Sequence, residues 1–333
     1  MAKGNLFLGF GRKKLGDLVF YRANGAQITR ARNRAPKNPR SVAQAKQRMA
    51  FAQATSAAAG LKFIINHSFE GLNTENENVQ HFVAINSKLL RAEIEAQLDG
   101  TGAFHGNAQI MGAKGMQGAD YIISKGSVYL PAFSSSSDYK GGVSYPIVTS
   151  LEDAAATITT QEEYEAALAA IGCAPGDQLS LIGIFELPTT IASYDTEYNY
   201  LNKCFASRVT FKQTIPDGFS GKLIVDTAFN ESLIEESYGA EIAVGTGQVS
   251  DVDSFIMEFQ EDADVPAAAT MQSIGIVRSR RNLNGKYEYS PCQLIWVGEG
   301  NDVASVLPSY MNVQNQGAGS DYFLDQAEVS PNS

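Results

Sequence analysis

The first 48 residues hold twelve basic side chains and a single acid, Asp17. That stretch carries +11, which leaves −21 for the rest of a chain whose total is −10. A segment in which one residue in four is cationic cannot turn inward, because Lys and Arg are almost never fully buried unless paired. The N-terminal segment is therefore expected as an arm, and the core must come from the acidic remainder. Charge divided in this way suits a protein that touches a polyanion, or an acidic surface, with one end only.

With 333 residues and 44% hydrophobic content, the chain can bury a sizeable core, and its length fits two units. No apolar run approaches the ~20 residues a membrane-spanning helix needs. The opening, Met1 to Phe10, is too short and too interrupted by glycine for a secretory signal, which implies synthesis and initial folding in a cytoplasm. Cys173, Cys204 and Cys292 are far apart, odd in number and set among apolar residues. They read as core thiols rather than as a disulfide or zinc framework.

Local patterns divide the chain into five stretches. In residues 1–40, the β-type runs at 18–22 and 26–30 flank Asn24-Gly25, a strong hairpin signal because both residues tolerate positive φ. Arg30, Arg32 and Arg34 alternate, so an extended chain aims all three the same way. In residues 41–99, Ser41 followed by Gln44 has the capping-box form and predicts a helix from there to about Asn66. A second helix is predicted from Asn73 or Thr74 to Leu98, with Val79, Phe82, Val83, Ile85, Leu89, Leu90 and Ile94 recurring at three- and four-residue intervals. The short connection makes them an antiparallel pair. Residues 100–118 are glycine-rich and read as a linker.

Residues 119–316 read as a mainly β body. Short strands are predicted at 121–124, 127–130, 145–148, 178–185, 204–212, 221–228, 240–244, 252–259, 271–279 and 285–297. One helix interrupts them over 161–171, with acids in its first turn and Gly172 after its end. Residues 317–333 read as a loose tail. The expected class is α+β, namely a basic arm with a β-hairpin, an antiparallel helical pair, and an antiparallel β body of sandwich or barrel type.

No catalytic pattern survives inspection. Gly9-Phe10-Gly11-Arg12-Lys13-Lys14-Leu15-Gly16 suggests a phosphate loop, but Asp17-Leu18 stand where that loop needs Lys and then Ser or Thr. The glycine spacing also fails the dinucleotide-binding fingerprint. Of the three histidines, His67, His81 and His105, only His67 and His81 are placed to be neighbours, on facing helix ends, and two histidines make a weak metal site, so no metal is expected. No Gly-x-Ser-x-Gly elbow supports a hydrolase triad. The acids between Asp251 and Asp264 lack EF-hand spacing and read as a solvated face. The chain is not expected to be an enzyme, and no cofactor is implied.

The candidate contact residues are Arg12, Lys13, Lys14, Arg22, Arg30, Arg32, Arg34, Lys37, Arg40, Lys46 and Arg48. Guanidinium groups offer a fork of donors that matches phosphate. Phe7, Phe10, Phe20 and Tyr21 do not interleave with the Arg cluster, so binding to nucleic acid would be backbone-directed and salt-sensitive. An acidic surface on a neighbouring subunit is the competing target, and an inert charged terminus is the third reading.

Gly16-Asp17-Leu18-Val19-Phe20-Tyr21-Arg22, Asn24-Gly25-x-Gln27, Arg30-x-Arg32, Pro36-x-Asn38-Pro39-x-Ser41 and Gln44-x-x-Gln47-Arg48 together form a pattern. It resembles the opening of a family of proteins from gut bacteria and their phages, some of them regarded as virion components. Ile274-Gly275-Ile276-Val277-Arg278-Ser279-Arg280 with Asn284-Gly285-Lys286 is similar to that family's C-terminal hairpin. The resemblance covers about the first 70 residues well and the last third loosely, and it carries over no catalytic residue. Beside this resemblance, the charge division in a chain without a catalytic motif sets the expectation of a self-assembling coat or capsid protein of a virion, made in a bacterial host's cytoplasm. Its partners are then further copies of itself and, through the arm, nucleic acid, with no membrane. The rival expectation is a filament, tail or surface-assembly protein that exchanges N-terminal strands between subunits without nucleic acid.

Overall fold

A computed structural model describes residues 13–15, 18–23, 26–31, 41–108, 116–130, 134–135, 143–146, 157–170, 172–188, 200–220, 234–235, 244–245, 247–251, 254–257, 259, 269–299 and 302–311. The chain divides into two compact units, Met1–Arg40 and Ser41–Ser333. It mixes helices with sheets that are antiparallel but for one short pairing, an α+β composition.

The first unit holds a three-stranded antiparallel sheet of β1 (Lys13–Leu15), β2 (Leu18–Ala23) and β3 (Ala26–Ala31). Ala23 pairs with Ala26 and Leu18 with Ala31, so only Asn24 and Gly25 separate the last two strands in sequence, as the Asn-Gly signal predicts. β1 is an addition that the sequence reading did not include. It pairs Lys14 with Val19 and Lys13 with Phe20.

In the second unit, α1 (Val42–Gly60) begins at Ser41, whose hydroxyl accepts from the Gln44 N–H at 3.4 Å. Its inner face is short (Ala45, Ala50, Ala54, Ala57 and Ala58 are buried), which lets a neighbouring helix come close. The helix expected to reach Asn66 breaks at Leu61, and α2 (Lys62–Ile65) follows. Thr74 starts α3 (Glu75–Leu98) with a complete capping box, Thr74 bonding the Glu77 N–H and Glu77 bonding the Thr74 N–H.

The buried stripe of α3 is Asn78, Phe82, Asn86, Leu90 and Ile94, so two amides stand where an apolar stripe was expected. Each does backbone work. Asn78 accepts from the Phe69 N–H at 3.1 Å and donates to the Thr74 carbonyl. Asn86 accepts from the Ile122 N–H at 2.8 Å and donates to the Ile122 carbonyl at 3.0 Å. Its side chain thus pairs with β4 (Ile122–Ser124) as a neighbouring strand would.

Among the described residues, twelve further short or long strands follow β4. β5 (Ser134–Ser135) and β6 (Val143–Pro146) precede α4 (Gln161–Ala170), which Thr160 and Glu163 cap reciprocally. Three long strands then form the centre: β7 (Gln178–Pro188), β8 (Tyr200–Phe211) and β13 (Thr270–Arg281). Between the last two lie β9 (Ile234–Glu235), β10 (Val244–Gly245), β11 (Gly247–Asp251) and β12 (Ser254–Met257). After β13 come β14 (Tyr287–Tyr289), β15 (Cys292–Gln293) and β16 (Ile295–Trp296).

The central sheet runs β10-β8-β7-β13-β14, with β9 also on β8 and β16 also on β13. Only β10 pairs in parallel. A second sheet runs β11-β12-β6-β5, and β15 pairs with β4.

Both faces of the central sheet are covered. Ile182, Ile184 and Val277 join a core with α1, α2, α3 and the last helix, α5 (Val303–Met311). Leu179, Leu181, Phe185, Ile274 and Ile276 join a second core with Tyr164 and Leu168 of α4 and with Phe259. Burial on both sides explains why these strands read as near-continuous apolar runs. The helical pair and the β body therefore share one core.

Several expectations need correction. Residues 127–130 are not a strand, although the Val128 N–H donates to the Tyr289 carbonyl. The run at 285–297 breaks into three short strands around Pro291, which has no N–H for a ladder. α5 lies where only strands were expected, because its apolar residues Val303, Val306, Leu307 and Tyr310 dock on the helices. The glycine-rich 100–118 is no spacer in its described parts, since Phe104, Ala108 and Met116 are buried in the helical core. Glycine is needed there for approach: a Cβ on Gly106 would meet Gln53 Nε2 at 2.8 Å and Phe104 at 2.9 Å. The strand expected at 221–228, most of that at 240–244, and the tail at 317–333 lie outside the described residues.

One cation is buried at the centre. Arg278 of β13 donates to Asp177 Oδ2 at 2.7 Å, to the Tyr129 carbonyl at 2.9 Å and to the Gly172 carbonyl. It thereby ties the α4–β7 connection and the segment after β4 to β13. That arginine of the C-terminal hairpin pattern has a structural use.

Candidate functional site

The eleven basic candidates separate into two groups. Arg12, Arg32, Arg34, Lys37 and Arg40 lie outside the described residues. Lys13, Lys14, Arg22 and Arg30 sit on the three-stranded sheet of the first unit. Lys14 and Arg30 occupy one register row, on either side of Val19, which puts their backbones about 10 Å apart at the usual strand spacing. Arg22 pairs with Gln27 three residues further along β2. Arg30 is exposed.

Lys46 and Arg48 belong to the second unit, on α1, and both are half-buried. Arg48 donates to the Tyr310 carbonyl at 3.1 Å and to Gln44 Oε1 at 3.3 Å. A cation at the C-terminal turn of α5 meets the unpaired carbonyls and the negative end of the helix dipole. Arg48 thus helps dock α5.

A second constellation has no counterpart in the sequence reading. Glu93 of α3, His105 and Asp120 place one ligand-type atom each within 4.8 Å of one another, and they are the one such group among the described residues. The backbone builds this arrangement. Gly106 and Ala119 form an antiparallel bridge, the Asn107 N–H donates to the Gly118 carbonyl at 2.9 Å, and the Asp120 N–H donates to the His105 carbonyl at 3.3 Å. This small ladder holds His105 beside Asp120, with Nδ1 3.4 Å from Asp120 Oδ2. The His105 N–H then reaches Glu93 Oε2 at 3.0 Å and anchors the pair to α3.

The two carboxylates are close and poorly solvated. Burial first, and the neighbouring Asp120 charge second, push the Glu93 carboxyl up to about 8. Gln293 donates to both the backbone carbonyl and Oδ2 of Asp120, at 3.1 and 3.3 Å. Asp120 Oδ1 is enclosed and has no hydrogen-bond partner. Among the described residues, no Lys or Arg pairs with either carboxylate.

Nothing in the spacing announces this group. Glu93 and His105 are twelve residues apart and Asp120 is fifteen further on, periods that match neither a helix nor a metal motif. The available clue was the glycine-rich composition of the stretch between His105 and Asp120. The other histidines are placed elsewhere. His81 lies edge-on to Phe69, with ring centroids 5.0 Å apart, and His67 is exposed.

The cysteines are free thiols in or beside the cores. Burial pushes Cys173 and Cys292 up to about 12 and raises Cys204 as well, which suppresses the thiolate that nucleophilic or ligand chemistry needs. No helix among the described residues is long and apolar enough to cross a membrane. In comparisons with known proteins, the chain matches no family model, no curated protein and no solved structure.

Proposed function

We propose that the chain is a self-assembling structural protein of a virus or phage particle, a coat or capsid protein. Its β-rich body would form the wall, and its basic N-terminal arm would engage packaged nucleic acid or a neighbouring subunit. The observation that carries this reading is the charge division of +11 over residues 1–48 and −21 over the remainder. The compact-unit boundary at Arg40–Ser41 supports it, because ten of the basic residues fall before that boundary. The Arg-rich pattern of residues 16–48 and its resemblance to virion components point the same way.

Phosphate neutralisation releases counterions, so affinity should fall by about 0.7–0.9 of a log unit per log unit of salt for each phosphate contacted. Replacing Arg30, Arg32 and Arg34 by Glu is expected to abolish retention of nucleic acid by purified particles while the body stays folded. Absorbance at 260 and 280 nm, read with circular dichroism, measures both. Unchanged retention in the triple variant would remove nucleic acid from this reading.

A second reading is favoured by one observation. Among the described residues β3 pairs with β2 alone, and a short strand of this kind suits strand addition between subunits. In that case the protein is a filament, tail or surface-assembly subunit whose arm clasps the acidic body of its neighbour, without nucleic acid. Negative-stain microscopy of the nucleic-acid-free protein separates the two, since only the clasping arm gives regular assemblies there.

A further inference from the structure

The geometry points to a binding site for one divalent first-row transition-metal cation at Glu93, His105 and Asp120. The donor set is an imidazole and two carboxylates, contributed by α3 and by the paired stretches 105–107 and 118–120. An imidazole selects such cations over magnesium and calcium, which prefer all-oxygen shells. Drawing the donors onto one ion at about 2.0–2.2 Å requires each side chain to close by only about 1 Å. His105, with 52% of its side chain exposed, has room for that motion.

Three further observations support a cation here rather than a simple polar contact. Two carboxylates face each other in a half-buried setting with no Lys or Arg pairing to offset them. One enclosed oxygen, Asp120 Oδ1, has no hydrogen-bond partner, although buried acceptors nearly always have one. Finally, outer contacts already orient the ligands: Gln293 holds Asp120, and the His105 backbone N–H holds Glu93. The exposed side of His105 leaves a path for entry and room for water to complete the coordination.

Bound metal would cross-link α3 to the return of the chain that leads into β4, and so fasten part of the helical core. This use is independent of the arm, and stands whether the assembly packages nucleic acid or not.

The test uses the full chain, stripped with a chelator and titrated with Zn²⁺ by calorimetry. One Zn²⁺ per chain is expected, with at least a tenfold loss of affinity in His105→Ala and in Asp120→Asn. His105 is exposed, so His105→Ala is expected to keep the fold, and circular dichroism checks this for both variants. A parallel titration with Mg²⁺ should show binding at least a hundredfold weaker. The proposal is overturned if the stripped protein takes up no Zn²⁺. It is equally overturned if both variants bind Zn²⁺ as the unaltered chain does, or if Mg²⁺ binds as tightly.

Discussion

Single side chains in this protein do work that is usually assigned to backbone. Asn86 is fully buried, and its amide satisfies both the N–H and the carbonyl of Ile122. A leucine of similar shape would leave both part-buried groups without this partner, at about 1–2 kcal/mol each. Asn86→Leu is therefore expected to lower stability by about 2–4 kcal/mol in urea denaturation followed through Trp296, the single tryptophan. A loss below about 0.5 kcal/mol would show that water replaces the amide. Helical periodicity selects position 86 as inward-facing, yet an Asn there looks like an interruption. Its value depends on a strand edge 36 residues away, which no local pattern contains.

The elements themselves were legible where their signals are local. The caps at Ser41, Thr74 and Thr160 each involve a residue three positions on, so short-range chemistry suffices to place the helix starts. Thr74→Ala should cost about 1 kcal/mol in the same denaturation experiment. The Glu77 carboxyl is held below its ordinary value by the Asn73 N–H first, and then by Thr74. A lowered folded-state pKa stabilises above the unfolded value of 4.5 and is lost as pH falls through the folded value. Stability measured from neutral to acid pH should thus decline less steeply in Glu77→Gln than in the unaltered chain; parallel curves would show that this box does not contribute. Ends were less legible than starts. The break at Leu61 and the division of 285–297 follow from packing and from Pro291, and α5 was hidden because a nine-residue helix lacks the length to declare its period.

At the scale of the molecule, charge and core occupy different stretches of the chain. All residues of both hydrophobic cores lie beyond Ser41, while ten of the basic residues lie before it. Removing residues 1–40 should leave a chain that unfolds in one cooperative transition with an unchanged midpoint, read by thermal circular dichroism. It should also change the net charge from −10 to −19, visible as an earlier shift to anion-exchange retention at higher salt. Loss of the transition would show that the first unit completes the fold of the second. The charge division could be read directly from the residues, since counting needs no partner. The carboxylate–histidine group could not, because its members meet only through the Gly106–Ala119 bridge and the His105 contact with α3.

The sequence by itself determined the charge division, the Asn-Gly hairpin, the capped helix starts and the helix at 161–170, all of them set by neighbours within a few residues. Tertiary structure alone decided which strands are central, that helices cover one face of the β7-β8-β13 sheet, and that the glycine-rich stretch is partly core. It also brought Arg278 to Asp177 across 101 residues, and His105 to Glu93 and Asp120. The physical reason is that an apolar strand buried on both faces carries no mark of what will cover it. Likewise, a polar residue's worth depends on partners that only the folded chain supplies.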